Sequence, residues 1–176
     1  MYKKKFVLIF LYFILYTLYV ILPPAVHAEY VLPYPSFMPG SPLYKISTLL
    51  DVAKRYWSFG NIAQLKYRMS MADKKLVEAK TLFEYKQYLL ATDALQRSDK
   101  ELSFLLALIN QGSREGKDMN SQKQMFADAM EKHITTLQLM KNQLPVEFQW
   151  TPEKANSTTL LIGSMLDASI KLRGRK

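Results

Sequence analysis

One segment of the chain repeats apolar residues in alternating steps of three and four from Ile62 to Phe83. Lysine and glutamate residues lie between the apolar positions, so one stripe can be buried while the other faces stay in water. This spacing is typical of an α-helix and not of a strand, in which alternate residues share a face. The stripe consists of Ile62, Leu65, Met69, Ala72, Leu76, Ala79 and Phe83.

The same periodicity predicts three further helices. The first begins at Ser41-Pro42, where the serine hydroxyl can cap the helix and the proline occupies the first helical position, at which a backbone N–H has no partner within the helix. Gly60 favours the end of this helix. A break near Lys86-Gln87 and a loop over 111–120 separate the others, and the fourth helix ends before Pro145. The stripes are Ile46, Leu49, Leu50, Ala53 and Trp57; Tyr88, Ala91, Leu95, Ser98, Leu102, Leu105 and Ile109; and Phe126, Met130, His133, Leu137, Met140 and Leu144.

A fifth helix is predicted from Thr151-Pro152-Glu153, which combines a cap, a proline and an acid near the positive end of the helix dipole. Its stripe is weaker and is interrupted by Gly163. No segment shows clear alternation with a period of two, so no strand is predicted. The expected stripe is Ala155, Thr159, Ile162, Leu166 and Ser169, and the link before it places Phe148 and Trp150 over a bundle end.

These patterns predict an all-α fold, an antiparallel bundle of about five helices, because the connections are short. A proline-rich strap over 29–42 precedes it, since prolines at 33, 35, 39 and 42 exclude a helix there. Its aromatic residues favour packing on the bundle, and the alternative is a proline-rich ligand for another protein's groove. The organisation is then 29–42 strap, 43–110 helices one to three, 111–120 loop and 121–176 helices four and five.

The first 28 residues have the pattern of a secretory signal peptide. Three lysines precede an uncharged block over 6–22, and Val26-His27-Ala28 supplies small residues around a cleavage position. The block is also close to the length of an uncleaved membrane anchor. In both cases the lysines stay in the cytoplasm, so the rest of the chain is expected to be secreted, periplasmic or on the cell surface.

Charge and cysteine content limit the possible functions. Removing residues 1–28 removes three lysines and no acid, which lowers the net charge from +9 to +6. That excess either maintains solubility or attracts lipid headgroups and envelope polyanions. The chain has no cysteine, which excludes disulfides, thiolate metal sites and a cysteine nucleophile.

The segments YVLPYPSFMPGSPLY and KYRMSMADKKLVEAKTLFEYKQYLLATDAL resemble an uncharacterised family of small exported bacterial helical domains. Members open with Leu-Pro-Tyr-Pro-Gly, then Leu-Pro, then Pro-Leu-Tyr, and the similarity runs from Tyr30 to Ile109. Ser36 replaces the glycine of that pattern, and Gly40 replaces an acidic residue. The resemblance implies export and a helical fold, and it brings no activity or catalytic residues.

Outside the predicted signal segment the chain has one histidine, His133, on the apolar face of the fourth helix. It is either a core histidine whose ring bonds to a backbone or hydroxyl group, or a ligand. With Met130 and Met140 nearby on the same helix, haem iron or copper is the alternative. Methionine at helical spacing more often fills gaps in a core, so no cofactor is expected.

Catalytic motifs do not emerge. There is no G-x-S-x-G elbow around a nucleophilic serine, no phosphate-binding glycine loop and no H-E-x-x-H motif. The carboxylate pairs Asp99 with Glu101 and Asp128 with Glu131 lie among lysines, where helix-surface ion pairing explains them. The sequence therefore predicts that the protein is not an enzyme.

The expected function is binding or scaffolding at the bacterial cell envelope, with an envelope protein or a polyanion as partner. Nucleic acid is not expected outside the cell, and membrane contact is expected only through residues 6–22 if they are retained. The basic tail also suits the negative end of the last helix dipole. The candidate interaction residues are Tyr34, Phe37, Tyr44, Lys171, Arg173, Arg175 and Lys176.

Overall fold

A computed structural model describes residues 12–13, 16–17, 29–154 and 156–175. The predicted signal peptide or anchor therefore lies almost wholly outside the described residues. From residue 29 onward the fold is helical, as predicted, with one small antiparallel sheet. The elements are α1 (Pro42–Trp57), α2 (Asn61–Glu84), α3 (Tyr88–Arg114), α4 (Asn120–Gln143), β1 (Phe148–Trp150), β2 (Thr158–Leu160) and α5 (Ile162–Arg173).

The predicted break between α2 and α3 is confirmed, and its geometry is that of a helix C-cap. Lys86 has φ 59°, in the left-handed region, directly after the last turn of α2. The Gln87 N–H donates to the Leu82 carbonyl at 2.9 Å and the Lys86 N–H donates to the Phe83 carbonyl at 2.9 Å. This pair of bonds satisfies carbonyls that a helix end leaves free, so the chain reverses within three residues.

The loop predicted over 111–120 is shorter than expected, because α3 continues to Arg114 and α4 begins at Asn120. Gly112 lies within the last turns of α3 and is buried. A Cβ atom at this position would lie 2.8 Å from the Met119 sulfur. The glycine therefore lets Met119 close over the end of the helix, and the turn itself is made by Gly116 at φ 72°.

The prediction of a helix from Thr151 is wrong. Residues Phe148–Trp150 and Thr158–Leu160 form a hairpin in which Phe148 pairs with Leu160 and Trp150 with Thr158. Phe148 packs on Tyr88, with ring centroids 4.4 Å apart, and both Phe148 and Leu160 contact the core. Because these contacts require an extended chain, tertiary packing overrides the local start signal. Helix α5 begins eleven residues after Thr151, at Ile162.

Among the residues that the structure describes, two apolar clusters form the core, and a layer of polar residues lies between them. One cluster contains Leu76, Leu95, Leu137 and Leu166, from four different helices. The other contains residues from the opposite ends of the same helices, among them Leu65, Leu102 and Met130. Since α2 and α4 enter the clusters in one order and α3 in the reverse order, α3 runs antiparallel to both.

The strap has neither helix nor strand from Glu29 to Met38, and it packs along the bundle. Tyr30 contacts the second cluster, while Leu32 and Met38 contact the first. The hydrophobic side chains of the strap are thus divided between the core and solvent, because Tyr34 is 96% exposed.

Among the described residues, no helix has both the length and the apolar character needed to cross a membrane.

Candidate functional site

Helix α1 is attached to the bundle through its polar side. The Lys74 ammonium forms an ion pair with Asp51 and donates to the Ser47 hydroxyl at 2.9 Å. The Tyr67 hydroxyl donates to the Asp51 carbonyl at 3.0 Å. On α1 these partners lie on one side of the helix, because positions three or four apart share a face.

Tyr44 makes the second attachment, one turn earlier on the same side of α1. Its hydroxyl donates to Glu78 Oε1 at 3.0 Å, and the Lys75 ammonium lies 5.4 Å from its ring centroid. Lys75 and Glu78 are themselves buried and form an ion pair of 2.6 Å. A cation above an aromatic face is attractive, and more so where water is excluded. Tyr44 thus connects α1 to a charged pair on α2.

The apolar side of α1 faces solvent instead of the core. None of its residues is buried, and the large apolar side chains of the helix are between 46% and 77% exposed. They occupy about half of the circumference, at 100° per residue. A soluble helix normally turns such a face inward. The exposed residues are Leu43, Ile46, Leu49, Leu50, Val52, Tyr56 and Trp57, and Phe59 beyond the helix is also exposed.

The charges around this apolar face are positive. Helical geometry places Lys45 and Lys54 near its two edges, whereas Arg55 lies on the polar side of the helix. All three cations are exposed. The one acid in α1, Asp51, lies on the opposite side in its ion pair with Lys74. The surface therefore combines an apolar centre with a cationic border.

A chain of hydrogen bonds occupies the polar layer between the two core clusters. The Tyr30 hydroxyl donates to Asp73 Oδ2 at 2.5 Å, and His133 Nε2 donates to Asp73 Oδ1 at 2.7 Å. Arg173 Nε donates to His133 Nδ1 at 3.2 Å. His133 is fully buried, and Asp73 and Arg173 are nearly so. The strap, α2, α4 and α5 are thus linked through one carboxylate and one imidazole.

Arg173 extends the network to α3. Its guanidinium donates to Asp99 Oδ1 at 2.5 Å and to the Ser98 hydroxyl at 2.9 Å. Ser98 in turn donates to the Ala72 carbonyl at 2.8 Å, and Ser169 donates to Asp99 at 2.7 Å. Each polar group in this layer has a partner, which is the condition for burying it without a large cost.

These contacts determine the protonation of the ring. Because the Arg173 N–H occupies Nδ1, His133 is neutral and carries its proton on Nε2. Burial lowers the pKa of His133, and the nearby Arg173 charge acts in the same direction against the bond to Asp73. Burial and the Asp73 carboxylate raise the pKa of Tyr30, so its hydroxyl remains a donor.

We expect acid to weaken the fold through His133. Its pKa in the folded protein lies below the ordinary value of 6.5, so below that pH the unfolded chain binds a proton that the folded chain does not. The free energy of unfolding should therefore fall as the pH drops through this window, by at most about 1.4 kcal/mol per pH unit from this group.

Urea unfolding at a series of pH values measures this slope. His133→Gln supplies a donor and an acceptor that do not titrate, so the variant should lack the histidine contribution below about pH 6.5. An unchanged slope in the variant would assign the acid sensitivity to other groups.

The candidate interaction residues named from the sequence have different environments. Tyr34 and Phe37 are exposed, and so are Lys171 and Arg175. Lys176 lies outside the described residues. Two assignments are corrected. Tyr44 is half-buried and fastens α1 to α2, and Arg173 is buried in the polar layer with 3% exposure. Arg173 therefore cannot belong to a basic tail that binds a polyanion.

The proposed haem or metal ligands do not form a site in this geometry. Met130 and Met140 are buried in different core clusters. Both ring nitrogens of His133 are hydrogen-bonded, so neither has a lone pair available for a metal. Within the described residues, no group of three or more histidine, aspartate or glutamate side chains is arranged to hold a metal ion.

Sequence reasoning missed Asp73 and treated Asp99 as a surface charge. Asp99 is instead bonded to Ser169 and Arg173, and its neighbour Glu101 bonds to Arg68 at 2.8 Å. Ser98, the one polar residue in the stripe of α3, was the available signal. A hydroxyl at a core position requires a buried partner nearby.

Comparison with known proteins identifies a family for most of the chain. Neither the curated proteins nor the solved structures include a significant match to this chain. A family model described as a domain of unknown function (DUF5667) matches residues 36–147. The matched region runs from the strap through α1, α2, α3 and α4 and ends before the hairpin. It includes the whole of the apolar face of α1, and by this match the chain belongs to the DUF5667 family.

Proposed function

We propose that this protein is an exported, non-catalytic binding or scaffolding protein of the bacterial cell envelope, with the apolar face of α1 as its interaction surface. The carrying observation is that α1 is fastened to the bundle by its polar side while its apolar side stays in water. Exposed apolar patches of this kind mark interaction sites in soluble proteins.

The attachment of α1 to the bundle supports the proposal that its apolar face is a preorganised binding surface. The attachments to Asp51, Ser47 and Tyr44 fix the orientation of the helix, so the apolar face does not need to be organised when a partner binds. A preorganised surface loses less conformational entropy on binding. Export is supported by the lysines and the uncharged block that precede residue 28.

A non-catalytic role is supported by the state of the polar layer. Asp73 and His133 are adjacent as in many catalytic sites, but both ring nitrogens are already bonded and the ring is fully buried. A general base must reach the proton that it removes from a substrate. The network is therefore assigned to structure.

Photocrosslinking in living cells tests the proposed surface. The full chain carries a photoreactive benzoylphenylalanine in place of Leu49, at the centre of the apolar face. Control chains carry it in place of Thr48, which is exposed on the polar side of the same helix, or in place of Lys80 on α2. We expect irradiation to join the Leu49 position to another molecule and the controls to remain unlinked. Equal yields at the three positions would refute the assignment of this face.

A further inference from the structure

We infer that the occupant of the α1 face is the surface of a lipid bilayer that contains anionic phospholipid. The inference rests on the proposed function and names the partner of the same surface. It places membrane contact in α1, independently of whether residues 6–22 are retained.

The first support is the distribution of apolar and charged groups around α1. Helices that lie in a membrane interface have a wide apolar face and basic residues on the polar side. In α1 the apolar half is bordered by Lys45 and Lys54, whose long stems let the ammonium groups reach outward while the methylenes stay on apolar surface. A protein partner for this face would need acids along both borders, whereas anionic headgroups surround an embedded helix on all sides.

The second support is the group of aromatic residues where α1 ends. Tyr56, Trp57 and Phe59 are each more than 70% exposed. Tryptophan and tyrosine favour the boundary between headgroups and hydrocarbon, because their rings are apolar and carry one polar group. Leaving three large aromatic side chains in water is unfavourable, and burial at a bilayer surface would remove that cost.

The third support is the cleft next to this aromatic end. It lies between the end of α1 and the start of α2, has a volume of about 420 Å³, and is lined by Arg55, Tyr56, Phe59 and Tyr67 among others. Arg55 places a guanidinium beside the aromatic side chains, and guanidinium groups bind phosphate oxygens with two parallel hydrogen bonds. A headgroup phosphate at this position would neutralise Arg55.

Tryptophan fluorescence tests whether α1 enters a bilayer, because the chain contains two tryptophans and one of them, Trp57, lies in α1 while the other is Trp150. With Trp150→Phe in the full chain, all tryptophan fluorescence comes from α1. The protein is mixed with vesicles of equal parts phosphatidylethanolamine and phosphatidylglycerol whose acyl chains carry bromine, which quenches only tryptophan that enters the bilayer. Residues 6–22 contain no tryptophan, so a retained anchor adds no tryptophan emission of its own.

We expect the brominated lipid to quench Trp57 in the parent protein. Changing Ile46, Leu49 and Leu50 to glutamine together should lower the apparent affinity for the vesicles at least about tenfold, so that the quenching disappears. None of the three is buried, so circular dichroism should show an unchanged fold. Changing Lys45 and Lys54 to glutamine should weaken binding about fivefold per cation. The control variant carries Lys100→Gln and Lys123→Gln, which remove the same two positive charges from exposed positions outside α1. It should bind the vesicles as the parent protein does.

Other outcomes overturn the inference. If the protein is bound to the vesicles and Trp57 fluorescence is not quenched, α1 does not contact the lipid. Equal binding to vesicles of phosphatidylcholine alone would exclude the requirement for anionic lipid. If Leu49 crosslinks to a protein or to a second copy while Trp57 stays unquenched, the lipid assignment fails and the proposed surface stands. If neither crosslinking nor quenching occurs, both the surface and its assigned occupant fail.

Discussion

Replacing Arg173 with methionine should lower the free energy of unfolding by about 3–5 kcal/mol, the usual cost of removing one partner from a buried charged pair. The guanidinium is the group through which His133, Ser98 and Asp99 are connected. Without it, the Nδ1 acceptor of His133 loses its donor inside the bundle, and the partly exposed carboxylate of Asp99 keeps only the Ser169 hydroxyl. Methionine has a similar length, so the effect comes from lost polar partners more than from a cavity.

Urea or thermal unfolding of the purified protein measures this loss. Lys171→Met removes a neighbouring exposed cation from the same helix and should change the stability by no more than about 0.5 kcal/mol. If the Arg173 variant is no less stable than the Lys171 variant, the polar layer does not contribute to stability in the way its geometry indicates.

Lys75→Met should produce the second large effect, again about 3–5 kcal/mol, because it leaves the Glu78 carboxylate buried with only the Tyr44 hydroxyl as a partner. The cation above the Tyr44 ring disappears as well. We therefore expect loss of stability together with weaker attachment of the first half of α1, measured by faster hydrogen exchange of α1 amides.

A second ion pair on the same helix provides the control. Lys80 and Glu84 are 3.5 Å apart and about half exposed, so Lys80→Met should change stability by less than about 0.5 kcal/mol. Changing Lys75 and Glu78 together to methionine should recover most of the loss, since two apolar side chains leave no buried charge. If the double variant is as unstable as the single one, packing and not charge is the cause.

The regular part of the fold could be predicted from the sequence because periodicity reports which residues share a face. All stripe residues of α2 from Leu65 to Phe83 are buried, and in α3 the same holds from Ala91 to Ile109. The break at Lys86 follows from the change of phase between the two stripes. These are local signals, and the tertiary contacts agree with them.

The hairpin could not be predicted in this way, because its strands have three residues each and no alternation that a pattern could detect. The Thr151-Pro152-Glu153 signal is a valid helix start that a non-local contact overrides. Phe148 and Leu160 gain burial against Tyr88 and the core only when the chain between them is extended.

The sequence predicts the helix that carries the candidate surface, but not that its apolar face points to solvent. The spacing of Ile46, Leu49 and Trp57 predicts an amphipathic helix, but periodicity does not indicate which neighbour a face contacts. That was determined by Lys74 and Tyr67 on α2, which bind the polar side of α1. The polar layer was hidden for a related reason, because Arg173 appears in the sequence as one of several cations near the end of the chain.

The polar layer between the two apolar clusters has a consequence for how the helices align. A slip of one helix by a single turn, about 5.4 Å, would move Asp73 or His133 among leucine side chains and away from every donor and acceptor that it now uses. Apolar contacts alone tolerate such a shift, since one leucine can replace another. The Asp73 carboxylate and the His133 imidazole therefore fix the axial register of the helices relative to one another.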